Sequence, residues 1–502
     1  MSSGPSPSSI KTLDPVFSRE DGFKFRIKRM LDEASTVLLF VLFWSTKNPK
    51  KDNQTYWEFF TITEGLSWNR LKNEFHFNTT MKHQLQTQQP SQFDISLLYR
   101  CISCACRNRS DVQDLLDHVK SIKDFRNAII HTGLGDISSF RPKTNELEQH
   151  LTKLTEAAET AFSIPTVEVS NLMATMREKI NKICTDILSP SDVAEYRSEL
   201  LLEKLRSEGV KNIQKLYKEL KYITPLHYLN EDIPLHVGMV YIQLEIVTAG
   251  KHTGSHQVKY TDLFKSFSNW PGGNPSNKAQ VILIVGPAGV GKTTLTRLLI
   301  NDWTEGDSLI EGLVDFNFLI HAECRMPHIA KFSELIRSLM SGVVKEYEET
   351  SIVKCLLTQK VLVIVDGLDE MNNSSKQLFQ ELLNIQTSGM TILVTTRAEA
   401  VELYYDLCPA GTCTTHLRIQ GIPENKREEF AVKYHEEMKA KVHSCDTRGL
   451  IQYMRRMSVN FTDYWRIPLH LCKLVVLWAL WPDTLTGVTT VDKLNEMNGR
   501  QE

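Results

Sequence analysis

The chain has 502 residues, of which 41% are hydrophobic and 24% are charged, and its formal net charge is −2. This length predicts a globular protein of about two to four domains, and the small net charge excludes a long-range positive field, so any nucleic-acid contact must be local. The ten cysteines form no framework of close pairs, which favours a reducing compartment. The longest apolar run, Val37 to Trp44, is far shorter than the roughly 20 residues that cross a bilayer, so we expect a cytoplasmic protein without a membrane segment.

The first third of the chain is predicted to be helical. Residues 1–17 are rich in Ser and Pro, which predicts a disordered tail. Cys101, Cys104 and Cys106 lack a second Cys or His pair at zinc spacing, so we favour half-buried helix thiols over a metal site. Residues 18–165 place apolar side chains three and four positions apart, which predicts an all-α domain, as in Leu115, Leu116, Val119, Ile122, Phe125 and Ile129.

A polar cluster lies at the end of the predicted helix around Leu115. Asn127 and His131 are four residues apart and share a helix face, with Arg126 beside them. Such a cluster can position a phosphodiester, with His131 moving protons and Arg126 neutralising charge. Arg and His at this spacing also occur by chance, so the motif alone leaves open simple polarity at a helix end.

Residues 166–275 are predicted to connect two domains. Charged residues and leucines recur at helical spacing from Val167 to Tyr222, which predicts connecting helices. Extended apolar pieces follow, such as Met239 to Val247. The turn-rich segment Asn269 to Pro275 then predicts a boundary before a new domain.

Residues 276–421 alternate short β-type runs with helical runs, which predicts an α/β domain with a parallel sheet covered by helices. Residues 422–485 return to a helical pattern and are predicted to form a C-terminal helical subdomain, and residues 486–502 a tail. The predicted strands are Val281–Val285, Phe316–Ile320, Val361–Val365, Thr391–Thr395 and His416–Gln420.

A glycine-rich loop joins the first of these strands to an apolar helix. Its spacing is G-x-x-x-x-G-K-T, in which glycines let backbone N–H groups converge on phosphates and the helix N-terminus adds its positive dipole end. Lys292 is predicted to reach the β- and γ-phosphates, and Thr293 to hold Mg²⁺. The sequence therefore predicts a nucleoside triphosphate site formed by Gly286, Pro287, Ala288, Gly289, Val290, Gly291, Lys292, Thr293 and Thr294.

Charged residues follow two further predicted strands. Asp366 ends one strand and is predicted to hold Mg²⁺ through water, while Asp369 and Glu370 can orient or deprotonate the attacking water. Arg397 follows the strand Thr391–Thr395, at the same predicted sheet edge, where it can read the γ-phosphate. Alone, each feature is common at a strand end; with the loop they predict a hydrolytic site.

These motifs resemble, in order and spacing, the NACHT domain of the STAND class of P-loop ATPases, found in NLR-type innate immune sensors. The resemblance rests on G-P-A-G-V-G-K-T, V-D-G-L-D-E and L-V-T-T-R, and it covers roughly Ala279 to Leu480. It implies a nucleotide-gated signalling switch with slow hydrolysis that forms homo-oligomers on activation, with unknown protein partners. Pro468 matches the proline that packs on adenine in this family, although this chain carries Arg466 where the family has glycine. No guanine-reading N-K-x-D is present at Asn425 to Glu428, so ATP and ADP are the expected ligands.

The element Arg126-Asn127-x-x-x-His131, with Phe93 to Tyr99 before it, resembles HEPN domains of the kind named for DAZ-interacting zinc-finger proteins. Some HEPN domains are metal-independent ribonucleases that use the Arg and the His across a dimer, whereas others only associate. Two functions therefore stay open. One is a regulatory switch that oligomerises, and the other is an RNA-cleaving effector controlled by the ATPase.

The chain ends 34 residues after Pro468, which is too short for a further domain of about 50 residues. Fuller members of the resembled family continue into a winged-helix subdomain whose histidine touches the β-phosphate of ADP. We therefore expect weaker ADP retention, partial exposure of the apolar stretch Leu471 to Trp481, and self-association through it. The alternative is that the sequence is a fragment of a longer product.

Overall fold

A computed structural model describes residues 19–47, 50–51, 54–131, 140–224, 234–248, 256–264, 280–306, 309–326, 328–345, 347–385, 389–439, 446–480, 485, 488 and 490. The chain divides into two compact units, Val16–Arg197 and a second unit that begins at Ser198. Within the described ranges, no helix is both long enough and apolar enough to cross a lipid bilayer.

The first unit is helical, as predicted. Its described helices are α1 (Arg19–Thr46), α2 (Tyr56–Glu58), α3 (Trp68–Glu74), α4 (Thr79–Thr87), α5 (Ile95–Ala105), α6 (Gln113–His131), α7 (Phe140–Phe162), α8 (Thr166–Thr185) and α9 (Pro190–Lys204), the last of which continues past the end of the unit. The long helix α1 packs against α5, α7 and α8. Its core-facing side chains are fully buried, namely Met30, Val37, Leu38, Val41 and Leu42.

The helix α5 shows how sequence sets local structure in this unit. The Asp94 carboxylate caps its start by accepting a hydrogen bond from Leu97 N at 2.8 Å. Cys101, Cys104 and Cys106 are fully buried rather than half-buried as predicted. Burial also raises the pKa of the Cys106 thiol to about 11, so these thiols are packing groups.

The second unit alternates strands and helices. Before the phosphate-binding loop it contains α10 (Val210–Tyr217), β1 (Tyr222–Ile223), β2 (Leu235–His236), α11 (Val237–Val240), β3 (Glu245–Thr248), β4 (Gln257–Val258) and β5 (Gln280–Val285). After the loop come α12 (Lys292–Glu305), β6 (Phe318–Glu323), α13 (Phe332–Leu339), α14 (Ser341–Val344), α15 (Glu349–Leu356), β7 (Val361–Asp366), α16 (Asn373–Asn384), β8 (Met390–Thr396), α17 (Val401–Leu407), β9 (Cys413–Gly421), α18 (Arg427–Lys439), α19 (Thr447–Phe461) and α20 (Pro468–Leu480).

Seven strands in the described part of this unit form one sheet in the order β4-β3-β9-β5-β8-β7-β6. The five strands from β9 to β6 in this order are parallel, which confirms the predicted parallel sheet. All side chains of β7 and nearly all of β5 are buried, as in a sheet covered on both faces. All five predicted strands are present, although β6 begins at Phe318 rather than Phe316.

The strands β3 and β4 are the part of this sheet that the sequence did not predict. β3 pairs antiparallel with β9, with Ile246 opposite Ile419, and β4 pairs antiparallel with β3. Both strands lie in the segment 166–275, so the predicted boundary between residues 275 and 276 runs through a single sheet. The piece Met239 to Val247, expected to be extended, includes the end of α11 before β3 begins.

The helix α20 is covered by neighbouring helices. Leu471, Leu474 and Val475 have no exposed surface, because α18 packs against α20 and the ring of Tyr453 on α19 lies 5.7 Å from that of Trp478. The expected exposure of this apolar stretch is therefore wrong for residues 471–480, whose apolar side chains are buried or half-buried. Residue 481 lies outside the described residues.

Candidate functional site

The sheet order brings the predicted site segments to one edge. β8 lies between β5 and β7, with Val285 opposite Thr396 and Val365 opposite Val394. The glycine-rich loop follows β5, Asp366 ends β7, and Arg397 follows β8. In parallel sheets, ligands bind outside the carboxyl ends of the strands, so these three strands build one site.

The backbone of the glycine-rich loop needs its glycines at two positions. Gly289 and Gly291 have φ of 71° and 97°, a left-handed conformation that L-residues with a side chain rarely adopt. A methyl group added at Gly289 would also lie 2.8 Å from Leu469 Cβ. The loop is therefore in close contact with α20, and Leu469 N donates a hydrogen bond to Gly289 O at 3.2 Å.

The lysine of the loop is held inside its curve. Lys292 Nζ donates hydrogen bonds to Gly286 O at 2.8 Å and to Pro287 O at 3.0 Å. Burial of the ammonium lowers the pKa of Lys292, and the nearby Asp369 carboxylate partly opposes this shift. An anionic ligand in the loop would stabilise the ammonium form of Lys292, which burial has deprived of solvation by water.

Asp366 is buried beneath the loop edge and is fixed by Thr395. It is 7% exposed, and the Thr395 hydroxyl donates a hydrogen bond to its carboxylate. The same Thr395 oxygen accepts a hydrogen bond from Gly367 N at 2.9 Å. One hydroxyl therefore sets both the orientation of the Asp366 carboxylate and the turn that follows it, where Gly367 has a φ of 80°.

The two further carboxylates differ in their partners. Asp369 Oδ2 forms an ion pair with Arg397 Nε at 2.8 Å, and Asp369 Oδ1 accepts from Arg397 N at 3.2 Å. Within the described part of the chain, the Glu370 carboxylate forms no ion pair and no side-chain hydrogen bond. Sequence analysis treated Asp369 and Glu370 alike, and the structure separates them.

A cavity of about 300 Å³ joins these segments. Its lining includes the predicted residues Ala288, Gly289, Gly291, Lys292, Thr293, Thr294, Asp369, Glu370 and Arg397, and Pro468 also lines it. The predicted residues Gly286, Pro287, Val290 and Asp366 are not among the lining residues. Val290 and Asp366 are buried.

The apolar wall of the cavity was missed by sequence reasoning, apart from Pro468. Isolated apolar residues carry no motif, so only the closeness of Leu469 and Cys472 to Pro468 in the chain could have suggested them. The wall combines residues before the loop with residues from α18 and α20, namely Ile223, Val240, Tyr241, Ile242, Leu244, Phe430, Tyr434, Leu469 and Cys472.

The polar cluster of the first unit is partly described. Arg126 Nη1 donates a hydrogen bond to Asn127 Oδ1 at 3.1 Å, and Arg126 Nη2 lies 4.0 Å from Asp94 Oδ2. His131 is the last residue of α6, and its side chain lies outside the described residues. The structure thus brings Arg126 and Asn127 together.

A glycine-rich loop between a buried strand and a helix, with acidic and basic strand ends beside it, defines the P-loop nucleotide-binding class. Residues 280–438 also match the family model described as NACHT domain, so this segment of the chain is similar to NACHT domains. The match stops short of the first unit, and the HEPN resemblance of residues 18–165 stays a prediction.

The chain is also similar to several curated proteins. It is 24% identical over 252 residues to human NACHT, LRR and PYD domains-containing protein 12, covering 45% of this chain and 22% of that protein. It is 27% identical over 180 residues to NACHT, LRR and PYD domains-containing protein 3 of Mus musculus, covering 32% of this chain and 16% of that protein. The chain thus spans less than a quarter of the length of these relatives.

The chain also matches parts of two solved structures. The Holliday junction branch migration motor RuvB of Thermotoga maritima matches 44% of this chain and 61% of its own, with 14% identity and a TM-score of 0.24. The Aeropyrum pernix ORC2 protein matches 45% of this chain and 62% of its own, with 14% identity and a TM-score of 0.27. Scores of this size carry no conclusion about function.

Two glycines with the same backbone angle test the contact between the loop and α20. Gly289 and Gly306 have φ of 71° and 70°, but a methyl group at Gly306 meets nothing within 4 Å. We expect Gly306→Ala to lower the unfolding free energy by about 1–2 kcal/mol through backbone strain alone and to leave nucleotide affinity unchanged. Gly289→Ala adds the clash with Leu469 and should weaken ADP binding by more than about tenfold. Calorimetry and chemical unfolding measure both, and equal behaviour of the two variants would contradict the contact.

Proposed function

We propose that the second unit binds ATP and ADP with Mg²⁺ and acts as a slowly hydrolysing switch whose output is homo-oligomerisation. The observation that carries this proposal is the single cavity lined by the loop, by Asp369 and Glu370, by Arg397 and by Pro468. Polar groups suited to a polyphosphate and an apolar wall suited to a flat base line the same space. The resemblance to innate immune sensors supports a role for such a switch in stress or immune signalling.

The charges and donor atoms at the site suit Mg²⁺. Two cations, Lys292 and Arg397, lie at the same end of the sheet as three carboxylates, those of Asp366, Asp369 and Glu370. A polyphosphate adds further negative charge, so a divalent cation is needed for balance. The Thr293 hydroxyl and the Asp366 carboxylate are the oxygen ligands that would hold it. When bound, the ion neutralises charge on the β- and γ-phosphates.

The different partners of the two acidic residues suggest different roles. The Asp369 carboxylate forms an ion pair with the Arg397 guanidinium and also accepts a hydrogen bond from the Arg397 main-chain N–H, so we assign it the placement of the guanidinium. Glu370 lines the cavity without an ion pair in the described chain, so we assign it the orientation or deprotonation of the attacking water. A γ-phosphate would compete with Asp369 for Arg397. This competition supplies a local element that distinguishes ATP from ADP.

The first test addresses binding and assembly. We expect Lys292→Ala to abolish measurable ATP binding, because the backbone N–H groups alone do not offset the phosphate charge. The exposed Lys354 on α15 provides the control variant Lys354→Ala. Light scattering after size-exclusion chromatography should show a larger mass with a non-hydrolysable ATP analogue than with ADP. An unchanged mass, or full binding by Lys292→Ala, would contradict the proposal.

The second test separates the two carboxylates. Glu370→Gln should keep ATP binding and slow hydrolysis by about 10²-fold or more, since it removes the proton acceptor. Asp369→Asn should free Arg397 and change the ratio of ATP to ADP affinity. Single-turnover hydrolysis and equilibrium binding measure the two effects. If Glu370→Gln hydrolysed ATP at the parent rate, its assigned role would be wrong.

RNA cleavage by residues 18–165 is the alternative function. The hydrogen bond between Arg126 and Asn127 supports it, because it fixes a cationic side chain next to a polar one on α6. We expect any ribonuclease activity to be lost in Arg126→Ala and in His131→Ala. Arg70, exposed and paired with Glu74 in the same unit, provides the control variant Arg70→Ala. Cleavage of a labelled RNA that survives both substitutions would exclude this function.

A further inference from the structure

The side chain of Arg466 links three parts of the second unit. Arg466 is the last residue of a short 3₁₀ turn, two positions before the start of α20. Its Nη2 lies 3.0 Å from Glu245 Oε2 on β3 and donates a hydrogen bond to Gln420 Oε1 on β9. Both strands precede the C-terminal helices in the chain, so Arg466 joins these helices to the sheet.

The main chain of Arg466 is bound at the same place. Its carbonyl oxygen accepts a hydrogen bond from Ile422 N at 2.8 Å. Gly421 has a φ of 121°, and a methyl group added there would run into the Arg466 carbonyl. Side chain and main chain therefore fasten the start of α20 to the end of β9.

This attachment lies directly next to the cavity. Only Ile467 separates Arg466 from Pro468, and Pro468 and Leu469 both line the cavity. Leu469 N also donates to Gly289 O in the phosphate-binding loop at 3.2 Å. One residue of chain spans at most about 3.6 Å. A displacement of Arg466 therefore also displaces Pro468 and Leu469, which belong to the apolar wall and contact the loop.

A second cation near Arg466 makes the Glu245 carboxylate an important partner of Arg466. Arg427 is 9% exposed, and its guanidinium donates to Ile422 O at 3.4 Å. Burial lowers the pKa of Arg427, Glu424 and Asp463 oppose this, and the Arg466 cation adds to the lowering. The two arginines near Ile422 are Arg427 and Arg466. Without Glu245, Arg466 would lose the carboxylate on β3 that attracts it towards the sheet.

We propose that Arg466 is a positioning residue that holds Pro468 and Leu469 against the nucleotide through its ion pair with Glu245. This inference rests on the proposed nucleotide binding and deepens it. It makes β3, which precedes the phosphate-binding loop in the chain, a structural partner of the C-terminal helices. The pair is partly exposed, with side chains 38% and 33% accessible, so its loss should affect position more than overall stability.

The test compares two ion pairs of the full chain. Arg466→Met and Glu245→Gln each break the pair at the cavity, and the double variant Arg466→Glu with Glu245→Arg restores it with reversed charges. Arg455→Met is the control, because it breaks a bidentate ion pair with Glu428 at 2.9 and 2.8 Å between α19 and α18. Two quantities are measured: hydrogen exchange at Ile422 and Leu469 without nucleotide, and the dissociation constant for ADP.

We expect Arg466→Met and Glu245→Gln to speed exchange at Leu469 and to weaken ADP binding by at least about fivefold. The charge-reversed pair should recover both values, and Arg455→Met should change neither. Unchanged exchange and affinity in the single variants would overturn the proposal, as would equal effects of Arg455→Met. If Arg466→Met does not fold, Glu245→Gln decides, since it keeps Arg466. A parent chain that binds no ADP would refute the proposed function, whereas exchange at Leu469 would still decide the attachment.

Discussion

The second unit depends on a backbone constraint in the phosphate-binding loop. To point N–H groups at an anion, the chain turns through left-handed conformations at Gly289 and Gly291. The same turn brings Gly289 so close to Leu469 that no side chain has room there. The conformation of the loop therefore also fixes the position at which α20 begins. In this way the geometry of phosphate binding constrains the C-terminal helices.

A second constraint at the site is electrostatic and concerns the charged side chains around the loop. Lys292 is held by two loop carbonyls, and Arg397 is held by Asp369, whose side chain is only 10% exposed against 40% for Arg397. Asp366 is held by the Thr395 hydroxyl. Unlike Glu370, these charged groups are each fixed by an uncharged or opposite partner before any ligand arrives, which reduces the reorganisation that binding requires.

Sequence reasoning predicted the features that are local in the chain. Of the five parallel strands, β5, β6, β7 and β8 are almost entirely buried runs, and the loop has a fixed spacing, so these features were found in advance. An extended segment was expected at Met239 to Val247, but the antiparallel pairing of β3 with β9 was missed, because it joins residues as far apart in the chain as Val247 and Arg418, 171 positions away. Which of Asp369 and Glu370 pairs with Arg397 is likewise a matter of distance in space. For the same reason the covering of α20 by α18 and α19 could not be read from the sequence of α20.

Some residues that line the cavity lie outside the segment that matches the NACHT model. Residues 280–438 contain the loop, the acidic strand end and Arg397, but the apolar wall also needs Ile242 and Leu244 before this segment and Leu469 and Cys472 after it. A base bound against that wall would contact both flanks at once. The two segments that flank residues 280–438 are joined to each other through β3, β9 and the start of α20. A change in the bound ligand would therefore affect both segments together. The physical unit of the proposed switch is therefore the sheet with its antiparallel edge and its C-terminal helices, because residues 280–438 alone supply only Phe430 and Tyr434 of the wall that would hold the base.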